Sequence, residues 1–239
     1  MAGRFGGRVY SNAPAVMDTS IDAGLRSYML SVYNYMASGV LLTGIVALYV
    51  STNDAIMGAI FGTGLKWVVM LAPFAFILAM NFGLNKMKAS TLQTLFWVFA
   101  GVMGLSLSSI FVIYTGASVA KVFFISAGAF AGLSLYGYTT KKDLSPFRTF
   151  LVMGVIGLII AMVANIFIQS SGFDFIISIF GVLIFAGLTA YDTQMIKSMY
   201  YGDDSSETRS KKVIMGAVSL YLDFINLFMM LLRLLGNRN

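Results

Sequence analysis

The chain has 239 residues, of which 58% are hydrophobic and 11% charged, and its mean hydropathy is +0.83. A soluble domain carries about 25% charged residues, so this composition excludes a water-soluble globule and indicates an integral membrane protein. The chain has no Cys and no His, which excludes disulfides, thiolate nucleophiles, Cys or His metal sites and any Ser–His–Asp triad.

In chain order, residues 1–28 are polar and small and lack the apolar stretch of a signal peptide. They read as a disordered or surface-lying tail, which makes the first apolar span an uncleaved anchor. Seven runs with few or no charges follow, at 29–50, 67–84, 91–114, 122–138, 150–168, 175–191 and 213–235. Each is long enough to cross a ~30 Å hydrocarbon core, which takes about 17–25 helical residues. The expected organisation is a 1–28 tail, a 29–236 membrane domain and a 237–239 C-terminal tail. The fold class is all-α integral membrane, a seven-transmembrane-helix bundle.

Orientation follows from Lys and Arg. With the N-terminus inside, the inner set is Arg4, Arg8, Arg26, Lys86, Lys88, Lys141, Lys142, Arg148, Lys197, Arg209, Lys211 and Lys212. The outer set is only Lys66, Lys121, Arg233 and Arg238. The N-terminus is therefore predicted cytoplasmic, with Arg233 and Arg238 the awkward members of the outer set. The net charge of +6 fits basic loops on an anionic membrane surface rather than nucleic-acid binding. Gly128 and Gly132 form a GxxxG pair in the fourth span, a pattern that lets helices approach closely in lipid. Asn34, Asn81, Asn165 and Asn226 are expected to bond between helices, and the scattered Met residues to fill packing gaps.

Few charges fall within the spans. Asp223 lies ~15 Å into the last one if that span begins at 213, near the middle of the bilayer, where an ionised carboxylate requires a partner, water, a cation or a proton. Asp192 closes the sixth run. No helix breaker precedes Gly202, so that helix is expected to continue to about Tyr200, which puts Asp192 ~12 Å from its inner end. Two carboxylates at similar depth on adjacent antiparallel helices can share one proton and titrate as a unit.

The stretches GLTAYDTQMIK at 187–197 and SLYLDFINLF at 219–228, followed by LRLLG at 232–236, strongly resemble the two signatures of the Bax inhibitor-1 family, and the general style resembles a bacterial member. The resemblance covers about residues 20 to 236. It implies that the last helix is central and wrapped by the other six. It also implies that Asp192 and Asp223 form a proton-sensitive pair gating a calcium leak. A basic latch near the inner end of helix two is part of the same pattern; here its position falls on Gly83 or on Lys86, and if on Gly83 the latch is missing. Asn226, one turn past Asp223, is a candidate support for it.

The expected function is therefore a pH-sensitive Ca²⁺-permeable leak channel in a bacterial inner membrane. Asp192 and Asp223 would be its switch and would line the Ca²⁺ path. No enzymatic activity and no cofactor are expected. The expected partners are Ca²⁺, protons and the lipid bilayer, with other membrane proteins as further candidates and no nucleic acid. A membrane regulator acting through other membrane proteins, with little transport of its own, is the main alternative, and a proton- or metabolite-coupled transporter a third. An intramembrane aspartyl protease fits less well, because 219–222 has no glycine where a Gly-x-Gly run should precede the second aspartate. A retinal protein needs a lysine in the last span, and 213–235 has none.

Overall fold

A computed structural model describes residues 13–239, with side chains from residue 23 onward. Residues 1–12 of the expected tail lie outside the described residues. The chain forms nine α-helices among the described residues: α1 (Ala13–Ser51), α2 (Asp54–Phe61), α3 (Leu65–Gly83), α4 (Ala89–Leu107), α5 (Ile110–Ile113), α6 (Gly116–Thr139), α7 (Arg148–Ile168), α8 (Ser171–Ser198) and α9 (Ser206–Leu235). Seven segments are long and apolar enough to cross a membrane: Ala23–Ser51, Leu65–Gly83, Ala89–Ile113, Gly116–Thr139, Ser145–Ile168, Ser171–Ser198 and Ser206–Leu235. The chain is a seven-helix membrane bundle.

Polar side chains at the breaks set where the helices begin. The side chains of Asn53, Thr115, Ser170 and Ser205 accept from the amides of Ile56, Ser118, Phe173 and Thr208 and so cap α2, α6, α8 and α9. Three boundaries differ from the sequence reading. The helix of the first span begins at Ala13 rather than near 29, so small polar residues before the span continue its turns. The loop after α1 contains the short helix α2, capped by Asn53. Helix α9 begins at Ser206 rather than 213, because the Ser205 cap starts it within the polar stretch SETRSKK, which extends the last span beyond its apolar part.

Helix α9 is the central element. It packs against α8, α1, α6 and α4, and 72% of its most apolar window is buried, against 11–33% for the other six spans. Leu220, Tyr221, Leu227 and Leu232 are almost fully enclosed. Tyr221 stacks edge-on against Phe99 at 5.2 Å between centroids. Its hydroxyl meets Thr43 Oγ1 at 2.7 Å, and Thr43 in turn donates to the Ala100 carbonyl at 2.8 Å. Because the Thr43 proton is used on Ala100, Tyr221 is the donor to Thr43. This chain ties α9 to α1 and α4 in a medium where no water can satisfy either hydroxyl. Helices α3 and α7 are peripheral: α3 packs on α4 and α2, α7 on α8 and the turn before it.

Small residues do bring helices together, but at other positions than the GxxxG pair. Gly128 and Gly132 are exposed, and a Cβ at either would meet no atom within 4 Å, so they face lipid. Close approach occurs at Gly137, where a Cβ would collide with the Ala190 carbonyl of α8, and at Gly104, where it would lie 2.7 Å from the Thr43 carbonyl of α1. The span asparagines also act locally. Asn81 and Asn226 donate to the carbonyls of Ile77 and Leu222, one turn back on their own helices. Asn165 accepts from the Ser170 amide in the α7–α8 turn. An amide in an apolar medium is satisfied by the nearest free carbonyl lone pair, and on a helix that is the one a turn earlier.

The two ends of the bundle differ. At the end carrying loops 84–88, 140–147 and 199–205, Glu207 Oε1 accepts the Ala89 amide at 2.7 Å and Lys211 donates to the Leu84 carbonyl at 3.3 Å. The start of α9 thereby holds the α3–α4 loop. At the opposite end Arg233 and Arg238 both approach Asp174, at 3.4 and 3.8 Å. The two arginines that sat awkwardly in the outer set are thus gathered round one carboxylate. The last residues are fixed there: Thr115 donates to the Asn237 carbonyl at 3.0 Å, Asn239 to the Ile113 carbonyl at 3.0 Å, and Asn237 to Ser118 Oγ at 2.9 Å.

Candidate functional site: a carboxyl pair between helices eight and nine

Asp192 lies on α8 and Asp223 on α9, the two helices that pack most extensively on each other. Helix α8 ends at Ser198, about two residues short of the expected Tyr200. Asp192 is therefore ~9 Å from the end of its helix, and Asp223 is ~26 Å from the Ser206 start of α9 at 1.5 Å per residue. The two side chains nevertheless come close enough to interact across the α8–α9 seam. The early start of α9 accounts for much of the difference, since its polar first turns run past the end of α8.

Asp223 is 5% exposed, and its Oδ2 is buried with no hydrogen-bond partner among the described residues. Asp192 is half-buried. Two ionised carboxylates facing each other can only accept, so the buried oxygen stays orphaned and the like charges repel. One proton between them turns one carboxyl into a donor to the other. The arrangement can thus hold two states, a proton-bridged pair and a doubly charged pair.

The surroundings fix α8 firmly on either side of Asp192. Gly137 of α6 abuts Ala190. Thr193 Oγ1 donates to the Thr189 carbonyl at 2.8 Å and lies 2.8 Å from Ser134 Oγ, which lies 2.7 Å from Tyr33 OH. With the Thr193 proton spent on Thr189, the donors run from Tyr33 to Ser134 to Thr193, joining α1, α6 and α8. Just beyond, a cleft of about 310 Å³ opens at the same end of the bundle, lined by Lys141, Lys142, Asp143, Tyr191, Gln194 and Ser198 among others. Gln194 accepts the Leu144 amide and donates to the Lys142 carbonyl, both at 2.8 Å, so α8 itself shapes the 140–147 loop. The Ser145 amide donates to Asp143 Oδ1 at 2.9 Å and holds that carboxyl below the usual carboxylate range.

The other candidate residues lie elsewhere. Asn226 spends its amide on Leu222 and makes no hydrogen bond to either carboxyl among the described residues. Lys86 is exposed in the α3–α4 loop and forms no ion pair among the described residues. Gly83 ends α3, where a Cβ would meet the side chain of Met87. Arg148, the first residue of α7, is the basic group within electrostatic reach of Asp192. In the sequence Arg148 is one of the basic residues of its side, with nothing to mark its influence on an aspartate. The signal was Pro146, in the short turn that leads into α7 and packs on α8. Among the described residues no group of three or more acidic side chains comes together that could hold a metal ion.

The family described as inhibitor of apoptosis-promoting Bax1 matches residues 25–239. The chain is 49% identical over 219 residues to the uncharacterized protein RP147 of Rickettsia prowazekii, covering 92% of this chain and 93% of that one. It is 46% identical over 231 residues to an uncharacterized protein of Caulobacter vibrioides, covering 92% of each. To the inner membrane protein YbhL of Escherichia coli K12 it is 43% identical over 219 residues, covering 90% of this chain and 94% of the relative. With a family match that spans most of the chain and includes both aspartate motifs, the chain belongs to the Bax inhibitor-1 family.

Proposed function

We propose that the chain is a pH-sensitive, Ca²⁺-permeable leak channel of the bacterial inner membrane, not an enzyme, with Asp192 and Asp223 as its proton switch. The observation that carries this reading is the orphaned Oδ2 of Asp223, buried on the central helix against a second carboxyl. A pair built this way is stable with one proton and strained with none.

In the proton-bridged state the pair joins α8 to α9, and with them the polar chain from Thr193 to α1. Loss of the proton leaves two facing negative charges. They repel across the α8–α9 seam and favour a hard cation. Ca²⁺ takes about six to eight oxygen ligands, more than two carboxylates supply, so the pair would attract a passing ion without retaining it. Flux would therefore rise as pH rises. Arg148, within electrostatic reach of Asp192, and the cleft beside Lys141 and Lys142 would set the local charge that an ion meets on this side. The membrane assignment rests on the seven spans and on the relative named an inner membrane protein. The excess of Lys and Arg at the end bearing loops 84–88, 140–147 and 199–205 supports a cytoplasmic N-terminus.

The test is Ca²⁺ entry into liposomes containing the pure protein, with pH stepped between about 8 and 5, the range over which a coupled carboxyl pair can titrate. A flux that follows pH supports the reading. No flux at any pH from folded protein overturns it in favour of a regulator acting through other membrane proteins.

A further inference from the structure

We propose that the cleft between α3 and α7 binds a phospholipid with an anionic head group, the phosphate held by Arg233 and Arg238 and an acyl chain lying along the cleft. The bounding helices pack on different neighbours, α3 on α4 and α7 on α8, and leave a cavity of about 750 Å³ between them, floored by α9 and by the short helix α5. That volume falls within the roughly 300–1,000 Å³ of small-molecule sites. Its walls include Phe74 of α3 and Ile159, Val163 and Ile166 of α7, each at least half exposed in the isolated bundle. In a bilayer this surface meets acyl chains, so the cleft opens sideways into lipid.

The polar groups lie at one end only. Arg233 occupies the last turn of α9 and Asp174 the first turn of α8, the level at which helix ends meet lipid head groups. Two guanidiniums face one carboxylate there, at 3.4 and 3.8 Å, which leaves one positive charge in excess. Neither arginine is enclosed: their side chains are 31% and 63% exposed. Arg238 is also held in place, because backbone bonds from Asn237 and Asn239 pin the residues on either side of it and its guanidinium lies over the Tyr114 ring. A fixed fork of N–H donors beside an apolar slot is complementary to a phosphodiester on a hydrocarbon chain. A free phosphate would use the arginines and leave the slot empty.

The experiment is native mass spectrometry of the full chain, delipidated in detergent and titrated with phosphatidylglycerol or with phosphatidylcholine of the same acyl chains. The expected result is retention of phosphatidylglycerol in preference to phosphatidylcholine. Arg238→Gln should weaken that retention about tenfold, the scale of one charge-assisted contact. Val163→Trp, which fills the cleft from its lipid-facing wall and leaves both arginines in place, should weaken it as well. A circular-dichroism melt of each variant shows that it is folded. Equal retention of the two lipids, or retention unchanged in both variants, overturns the proposal. Displacement of the lipid by millimolar inorganic phosphate also overturns it, in favour of a free-anion site. None of these readouts involves ion flux, so they stand or fall independently of the channel reading.

Discussion

The backbone of Gly137 on α6 lies directly against the Ala190 carbonyl of α8, leaving no room for a Cβ. The contact is two residues from Asp192 and sets how closely α6 supports the helix that carries the switch. Gly137→Val is expected to push the helices apart and to cost about 1–3 kcal/mol, the usual scale of overpacking. Unfolding of the variant in detergent measures this. Gly128→Val is the matched control: its site faces open space, and the melting temperature should stay within a degree or two of the parent.

Asp223→Asn replaces the buried carboxyl by an amide of the same shape that cannot ionise. The pair then has one titratable member and no like-charge state. The expected outcome is a Ca²⁺ flux that no longer changes between about pH 5 and 8 as the coupled pair did. Asp192→Asn should act in the same direction. A parent-like pH profile in both variants would remove the pair from its assigned role.

Asp143 is another carboxyl at the same end of the bundle and lines the cleft beside Tyr191. The Ser145 amide holds it below the usual carboxylate range. A lowered folded value means that this contact is present above the unfolded value of about 3.9 and is lost only as pH falls through the still lower folded one. Asp143 thus stays ionised across the whole window of the flux experiment. Asp143→Asn should leave the midpoint of the flux transition where it is, and a moved midpoint would assign part of the response to the cleft.

Seven spans were legible in the sequence because lipid demands long apolar helices, and few other solutions satisfy the backbone there. Asp223 was legible for a related reason, since a carboxylate deep in a span is rare enough to stand out, whereas its pairing with Asp192 rested largely on the family resemblance. What escaped depended on which way a helix faces. Gly128 and Gly132 have the spacing for close packing, yet they face outward, while the lone Gly137 makes the tight contact. Asn226 shares a helix with Asp223 and turns its amide to its own backbone. Arg148 counted as one more basic loop residue, although from the turn at Pro146 it acts electrostatically on Asp192. Spacing gives a residue's depth, whereas its face is decided by neighbours distant in the chain.

Glu207 belongs to the same class of long-range contact. It accepts the Ala89 amide at 2.7 Å and lies 3.8 Å from Lys211, which reaches the Leu84 carbonyl. One carboxylate on α9 therefore caps α4 from a distance. Glu207→Ala is expected to cost about 1 kcal/mol, as loss of a capping side chain does. Hydrogen exchange should speed up at residues 89–91. Exchange unchanged there would show that the α4 amides find other partners.

Arg148 offers a test of whether charge near the pair tunes the switch. A guanidinium within reach of Asp192 favours the doubly charged state, so Arg148→Gln should make the proton harder to remove and move the flux transition to higher pH. Arg148→Lys keeps the charge and should restore most of the parental midpoint. The side chain is exposed, and water and salt screen such an interaction. The shift should therefore stay below about one pH unit. Screening also supplies a second readout. Raising the salt concentration should carry the parent's midpoint toward that of Arg148→Gln while moving the variant's own midpoint less. If both respond to salt alike, the guanidinium does not act through its charge.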